Sequence, residues 1–324
     1  MPIAIDPALR FKPATRVENA CASGSAAVYA SLDAVRSGRV RVALVIGVEK
    51  MTSLDTAKVT HALSGACYQS EEADLSFPAM FARFAEAYRD RFQDPTEGMA
   101  RIAVKNHHNA MANPLAQLHK PLALDFCLSP SERNPEIAPP LKVTDCSLIS
   151  DGAAALVIAR ADMVGEFSHA TRFRATEHLN DVLPLSRKER SILEGPSLAF
   201  RRAYAAAKVS VDDLDFAEVH DCFTIAELMT LEAMGLAAPG QATAIIREGQ
   251  TERGGRLPIN LSGGLKAKGH PVGATGVSMH ALAARQLTDR AGEMQLPGAG
   301  LGLCFNMGGG AVVSCVSILE AVKH

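Results

Sequence analysis

The stretch Ala20-Cys21-Ala22-Ser23-Gly24-Ser25-Ala26-Ala27, continuing helically to Val35, stopped at Ser37-Gly38 and followed by the apolar run Val42 to Val48, decides the fold class. Small residues open a helix, Ser37-Gly38 ends it, and an uncharged β-branched run reads as a buried strand. Cys21 then stands at the mouth of a helix, where unpaired N–H groups and the helix dipole favour thiolate over thiol. That position predicts a pKa below the ~8.5 of a free cysteine.

The same order recurs in the second half. A helix is predicted around Ser197 to Ala207. A strand from Phe216 to Val219 ends at His220, and a helix from Thr224 to Met234 carries Ile225, Leu228 and Met229 on one face. His220 and Cys222 therefore fall at a strand-to-helix switch, where α/β folds place their sites. Ser262-Gly263-Gly264 leads to His270-Pro271 ahead of a helix marked by Val277, Ala281 and Ala284, and strands from Leu301 to Phe305 and Ala311 to Ile318 follow. Asp151 to Ile158 reads as a turn into a strand buried on both faces. Residues 51–145 mix helical pieces such as Phe77 to Phe92 with Asn113-Pro114 and Ile137-Ala138-Pro139-Pro140, the pattern of a large insertion of loops and helices. The chain thus reads as α/β with two sheets and a weak internal duplication, its halves spanning 1–164 and 165–324.

Composition narrows the function. An apolar content of 48% supplies a core, and 33 basic against 35 acidic residues point to neither nucleic acid nor a membrane surface. Neither a secretory leader nor an apolar run of about 18 residues is evident. The seven cysteines are spread without Cys-x-x-Cys pairs, which suggests free thiols in a reducing, cytoplasmic setting and offers no metal-ligand spacing. The C-terminal Ala-Val-Lys-His lacks a Ser-Lys-Leu address.

Two thiols and an imidazole among small residues suit acyl transfer. A thiolate at Cys21 can take an acyl group from a thioester, His270 is available as its base, and Cys222 can serve as acid and base near neutrality. Backbone N–H groups at Cys21 and in Gly308-Gly309-Gly310, with Gly308 as the candidate, provide for one oxyanion, and His220 and His270 for another. Cys67, Cys127, Cys146, Cys304 and Cys315 read as structural, and Lys266 and Lys268 as solvated loop lysines.

Ala20-Cys21-Ala22-Ser23-Gly24, His220-Asp221-Cys222-Phe223, Gly269-His270-Pro271-Val272-Gly273-Ala274-Thr275-Gly276 and Asn306-Met307-Gly308-Gly309-Gly310 resemble the thiolase family. The His-Asp-Cys-Phe form is similar to the sterol carrier protein type. Gly47-Val48-Glu49-Lys50-Met51, the Lys105-Asn106-His107-His108-Asn109 loop and Ser150-Asp151-Gly152 extend the likeness over nearly the whole chain. The resemblance implies a duplicated α/β fold layered α-β-α-β-α with a loop insertion in the first half, and a homodimer or homotetramer, with an accessory protein as a further partner. Acyl-CoA and CoA are then substrates rather than bound cofactors. It implies Cys21 as the acylated nucleophile, His270 as its activator, Cys222 as acid/base, and His220 in the position where other thiolases orient a water with asparagine. The activity expected is cleavage of a 3-ketoacyl-CoA or condensation of acyl-CoA.

Two departures qualify this. Asn306 stands where many thiolases carry their acid/base cysteine, which shifts that role to Cys222. Only twenty residues precede Cys21, so the front looks truncated, and apolar faces and strand edges of the first sheet are expected to be exposed unless a partner covers them. The rival readings are a non-catalytic acyl-CoA-binding or assembly subunit, and a ketoacyl synthase, which generally lacks a second thiol of this kind.

Overall fold

The structure is a computed structural model that describes residue 4 and residues 6–322. In chain order the elements are α1 (Ser23–Arg36), β1 (Val42–Glu49), α2 (Thr56–Ser64), α3 (Gln69–Glu72), α4 (Phe77–Arg91), α5 (Thr96–Ala110), α6 (Leu124–Leu128), β2 (Glu136–Ala138), β3 (Leu141–Lys142) and β4 (Gly152–Ala159). They continue as β5 (Thr171–Asn180), α7 (Glu194–Ala207), β6 (Phe216–Glu218), α8 (Thr224–Ala233), α9 (Ala242–Arg247), α10 (Val272–Gln286), β7 (Leu301–Gly308) and β8 (Val313–Ala321). No helix among the described residues is long and apolar enough to cross a membrane.

Strands β5, β8, β7 and β6 form one sheet in that order, with β6 parallel to β7 and the other pairs antiparallel. Every residue of β7 is buried, the polar Asn306 among otherwise apolar or small neighbours. Strands β1 and β4 pair antiparallel as a two-stranded ribbon, Val42 opposite Ala159 and Glu49 opposite Gly152. Helices α1 and α10 lie side by side between ribbon and sheet, and α7 packs on β5 and β8. The core of the second half also takes in α4, α5 and α8.

The α1–α10 crossing is close because it is made on glycine. A Cβ at Gly24 would stand 2.6 Å from the Val277 nitrogen, and one at Gly276 would stand 2.3 Å from the Ser25 nitrogen. Since Cys21 precedes α1 and His270 precedes α10, this contact sets how near the two reactive groups come.

Two expectations are corrected. Strands β1 and β4 are not buried on both faces: Val42, Leu44, Ile46, Val48 and Val157 are between 39% and 66% exposed. The reason is that no helix among the described residues lies over the outer face of the ribbon. Residues Lys105 to Asn109, read as a loop, lie on α5, where Met99, Ile102, Ala103 and Asn106 make a buried stripe at helical spacing.

Candidate active site

Cys21 is held by a tight turn before α1. Ala20 adopts a left-handed backbone (φ 48°), a conformation that costs a non-glycine residue of order 1 kcal/mol or more. Ser23 braces the turn: its Oγ accepts from the Asn19 N–H (2.7 Å) and donates to the Ala20 carbonyl (2.7 Å). The Glu18 carboxylate accepts from the Ala20 N–H (2.7 Å). The N–H groups that bear on the Cys21 sulfur are its own and that of Gly309, one residue beyond Gly308, which closes β7. Burial nonetheless pushes the Cys21 thiol up to about 12, with the Gly309 and Cys21 N–H groups opposing weakly. The helix-mouth argument for a depressed pKa therefore fails here, because loss of water outweighs the backbone dipoles.

The two histidines take different tautomers. The His270 Nδ1 is 2.7 Å from the Thr275 Oγ1, whose own proton goes to the Pro271 carbonyl (3.0 Å). Nδ1 must therefore donate, leaving Nε2 with a free lone pair, and that atom is buried without a partner. For His220, the Asn306 amide decides. Asn306 Nδ2 donates to the Cys21 carbonyl (3.0 Å) and lies 3.0 Å from His220 Nδ1, while its Oδ1 accepts from Ser25 Oγ (2.9 Å). A donor at Nδ1 puts the His220 proton on Nε2. The rings stand edge to face, 5.1 Å between centroids, and one ligand-capable atom each from Cys21, His220 and His270 lie within 4.8 Å of one another. Burial, then the Lys268 charge, lowers His270 to about 3, and burial holds His220 well below the usual range. The site thus rests as a thiol with one imidazole base and one imidazole donor, both neutral.

Cys222 precedes α8 and is buried, its pKa raised by burial, then by Cys21 and Asp221. Its carbonyl accepts from the Ser147 N–H (2.9 Å), and Phe223 stacks on Phe81 with centroids 4.6 Å apart. The neighbouring Asp221 ties this turn to the segment leading to His270, accepting from the N–H groups of Leu265 (2.6 Å) and Lys266 (3.1 Å). Asn106 donates to both Asp221 and Glu227 at 2.7 Å, and Lys105 pairs with Glu227 at 2.8 Å with both side chains sealed from solvent. Burial and the Glu227 charge lift the Asp221 carboxyl to about 7. Helix α5 is therefore the clamp between the two catalytic-looking turns.

An apolar cavity of about 440 Å³ opens over these groups, lined by Cys21, Cys222, His270 and Gly309 together with Phe77, Phe81, Leu122 and Phe126. Of the residues singled out in the sequence, Cys21, His220 and His270 meet, and Cys222 lines the same cavity. Sequence reasoning missed Thr275 and Ser25, took Asn306 only as an absent cysteine, and had no signal for the Lys105–Asn106 clamp beyond its motif. Lys266 and Lys268 are not solvated: they are 3% and 8% exposed, and Lys268 donates to Ser278 Oγ at 3.1 Å. Cys146, read as structural, lines the cavity.

Residues 7–122 match the family model for the thiolase N-terminal domain, and residues 180–321 that for the thiolase C-terminal domain-like unit. An acetyl-CoA acetyltransferase of Methanothermobacter thermautotrophicus is 36% identical over 312 residues, covering 95% of this chain and 80% of that protein. Sterol carrier protein 2 of Homo sapiens is 34% identical over 321 residues, covering 93% of this chain but 57% of that protein. A solved structure described as Ltp2-ChsH2(DUF35) aldolase shares the fold at a TM-score of 0.80 and 24% identity, over 94% of this chain and 79% of that one. The chain belongs to the thiolase family.

Proposed function

We propose that this chain transfers acyl groups between CoA thioesters through an acyl-Cys21 intermediate, cleaving a 3-oxoacyl-CoA with CoA or running the same steps as a condensation. The observation that carries the proposal is the meeting of Cys21, His220 and His270 within 4.8 Å beneath an apolar cavity that Cys222 also lines.

In the cleavage direction the Cys21 sulfur adds to the 3-keto carbon as its proton passes to His270 Nε2, an unpartnered lone pair. The His220 Nε2–H donates to the resulting oxyanion, and the Gly309 and Cys21 N–H groups are the backbone donors available beside it. Collapse breaks the bond between C2 and C3, and the departing acetyl-CoA enolate takes a proton from Cys222. The thiol of incoming CoA then gives its proton to the Cys222 thiolate and attacks acyl-Cys21, and Cys21 leaves and recovers its proton from His270. Each oxyanion donor is worth about 3 kcal/mol of barrier. The high pKa of both thiols in the empty site suits this cycle, since each holds its proton until the step in which His270 takes it from Cys21 or the enolate takes it from Cys222.

Homo-oligomers and an accessory protein belong to the same reading. Their support is the bare apolar face of the β1–β4 ribbon and the DUF35 partner in the description of the Ltp2 aldolase. A cytoplasmic setting is supported by the seven unpaired thiols. The test is intact-mass spectrometry after exposure to acetoacetyl-CoA. An acetyl adduct is expected on wild type and, formed more slowly because the enolate loses its proton donor, on Cys222→Ser, but not on Cys21→Ser, and Cys222→Ser is expected to fail in turnover. A folded protein that never carries an adduct is a binding subunit instead.

A further inference from the structure

Lys266 is the buried cation that the acyl-transfer chemistry leaves unused. It is 3% exposed and lines the same cavity as Cys21 and Cys222, yet among the described residues its ammonium makes no hydrogen bond or ion pair. Only its backbone N–H is engaged, by Asp221. The nearest carboxylates are committed elsewhere: Asp145 to Lys142 at 2.7 Å, and Asp221 to backbone N–H groups and Asn106. An ammonium with no partner so far from bulk water is costly to keep unless something offsets it.

Other features of the cavity point to what does. No aspartate or glutamate lines it, whereas Lys266, Lys120 and Arg133 do. Lys120 and Arg133 are exposed and so stand at the mouth, while Lys266 is buried within. Burial lowers the Lys266 pKa, opposed by the neighbouring Cys146 and carboxylate charges, and the pKa of His107 falls to about 4 through burial and then through Lys266. On the same lining, the Thr144 hydroxyl is buried with no hydrogen-bond partner, as is His107 Nε2. His107 donates through Nδ1 to the Lys120 carbonyl (2.8 Å), so its Nε2 faces inward as a lone pair. An anion seated beside Lys266 would offset the unpaired ammonium and supply the acceptor that Thr144 lacks.

We infer that Lys266, with Thr144, forms an anion-binding subsite inside the acyl pocket that selects acyl-CoA substrates whose acyl chain bears a carboxylate. The inference rests on the acyl-CoA reading and narrows it to a substrate class. The carboxylate pairs with the ammonium and accepts the Thr144 hydroxyl, a charge-assisted contact in a water-poor site, while the methylenes between it and the thioester meet the apolar walls.

The test is a binding measurement that needs no turnover. S-(5-carboxypentyl)-CoA and S-hexyl-CoA are thioethers that cannot acylate Cys21, and S-(3-carboxypropyl)-CoA and S-butyl-CoA are a shorter pair, so calorimetric titration of the whole protein with each reads the subsite alone. Wild type is expected to bind at least one carboxylated thioether about tenfold or more tighter than its uncharged counterpart. Lys266→Met should abolish that preference while leaving the alkyl thioethers at wild-type affinity, and Lys266→Arg should keep part of it. Lys266→Met replaces an unpaired buried charge with an apolar side chain of similar length, and the unchanged alkyl affinity reports that it is folded. Equal wild-type affinities within both pairs overturn the subsite, and so does a Lys266→Met variant that weakens both members of a pair equally. Failure of the catalytic reading shows separately, as a missing acetyl adduct with the binding preference intact. If no thioether binds at all, the acyl-CoA reading and the subsite fall together.

Discussion

Asn306 occupies a place where the sequence suggests only that a cysteine is missing, and its contacts give it a different task. One amide group fixes the Cys21 carbonyl and the His220 tautomer together, and Ser25 fixes the amide. Asn306→Ala removes the donor at Nδ1, so the His220 proton is free to move there and Nε2 ceases to be a reliable oxyanion donor. The expected result is a fall in kcat of about 10²-fold or more with KM changed little, the pattern of an interaction made mainly in the transition state. Steady-state thiolysis kinetics check it, and an equal rise in KM would show that Asn306 merely shapes the pocket. The residue scale also marks where sequence reading stops. Cys21, His220, Cys222 and His270 were legible because each sits in a distinctive local string at an element boundary. The direction of the Cys21 pKa was not, because it depends on how many non-local atoms exclude water, and the same holds for the burial of Lys266 and Lys268.

At the scale of elements, the catalytic geometry depends on two helices crossing at glycine and on one buried relay behind them. Gly276→Ala puts a methyl 2.3 Å from the Ser25 nitrogen and 2.5 Å from the Asn306 Oδ1, both rigidly held. It is expected to destabilise the protein by about 1–3 kcal/mol and to lower kcat by disturbing Asn306, with denaturant midpoints and kinetics as the measures. The relay links α1, α10 and β8. His280 Nδ1 donates to the Gly276 carbonyl (2.6 Å), and its Nε2 accepts from Ser317 Oγ (2.8 Å), which meets Tyr29 Oη at 2.8 Å. Burial lowers His280 to about 4, so the unfolded chain binds a proton there below about pH 6.5 that the folded chain refuses. Its contribution is complete above pH 6.5 and is lost as pH falls toward 4. The stability advantage of wild type over His280→Gln should therefore shrink by about 3 kcal/mol between pH 7 and pH 4, at about 1.4 kcal/mol per unit. Urea titrations across that range decide it, and a constant difference would mean that His280 titrates normally in the folded protein. Helix α5 was the element least visible in the sequence. Its polar Lys105-Asn106-His107-His108-Asn109 string hides a buried stripe, since the polar groups face partners on distant segments rather than water.

For the whole molecule, the helix-strand-helix order and the two sheets were readable because apolar runs and glycine stops are local signals. Which sheet faces remain bare was not readable from the strands themselves. Val42 to Val48 has the composition of a strand covered on both sides, and the expectation of exposure came only from the short segment before Cys21. The antiparallel register sets Leu44 opposite Val157 and Val48 opposite Ala153, so one face of the ribbon presents a continuous apolar strip while the other rests on α1 and α10. Monomers rarely leave such strips in water, and strand edges beside them invite pairing with other chains. Leu44 and Val48 are 49% and 66% exposed, and their replacement removes little buried area. Leu44→Lys with Val48→Lys is therefore expected to change stability by no more than about 1 kcal/mol while lowering both the binding of an apolar dye and concentration-dependent light scattering. A loss of several kcal/mol on that double substitution would show that the strip is already covered in solution, and the covering surface would then be part of the folded unit that holds Cys21 in place.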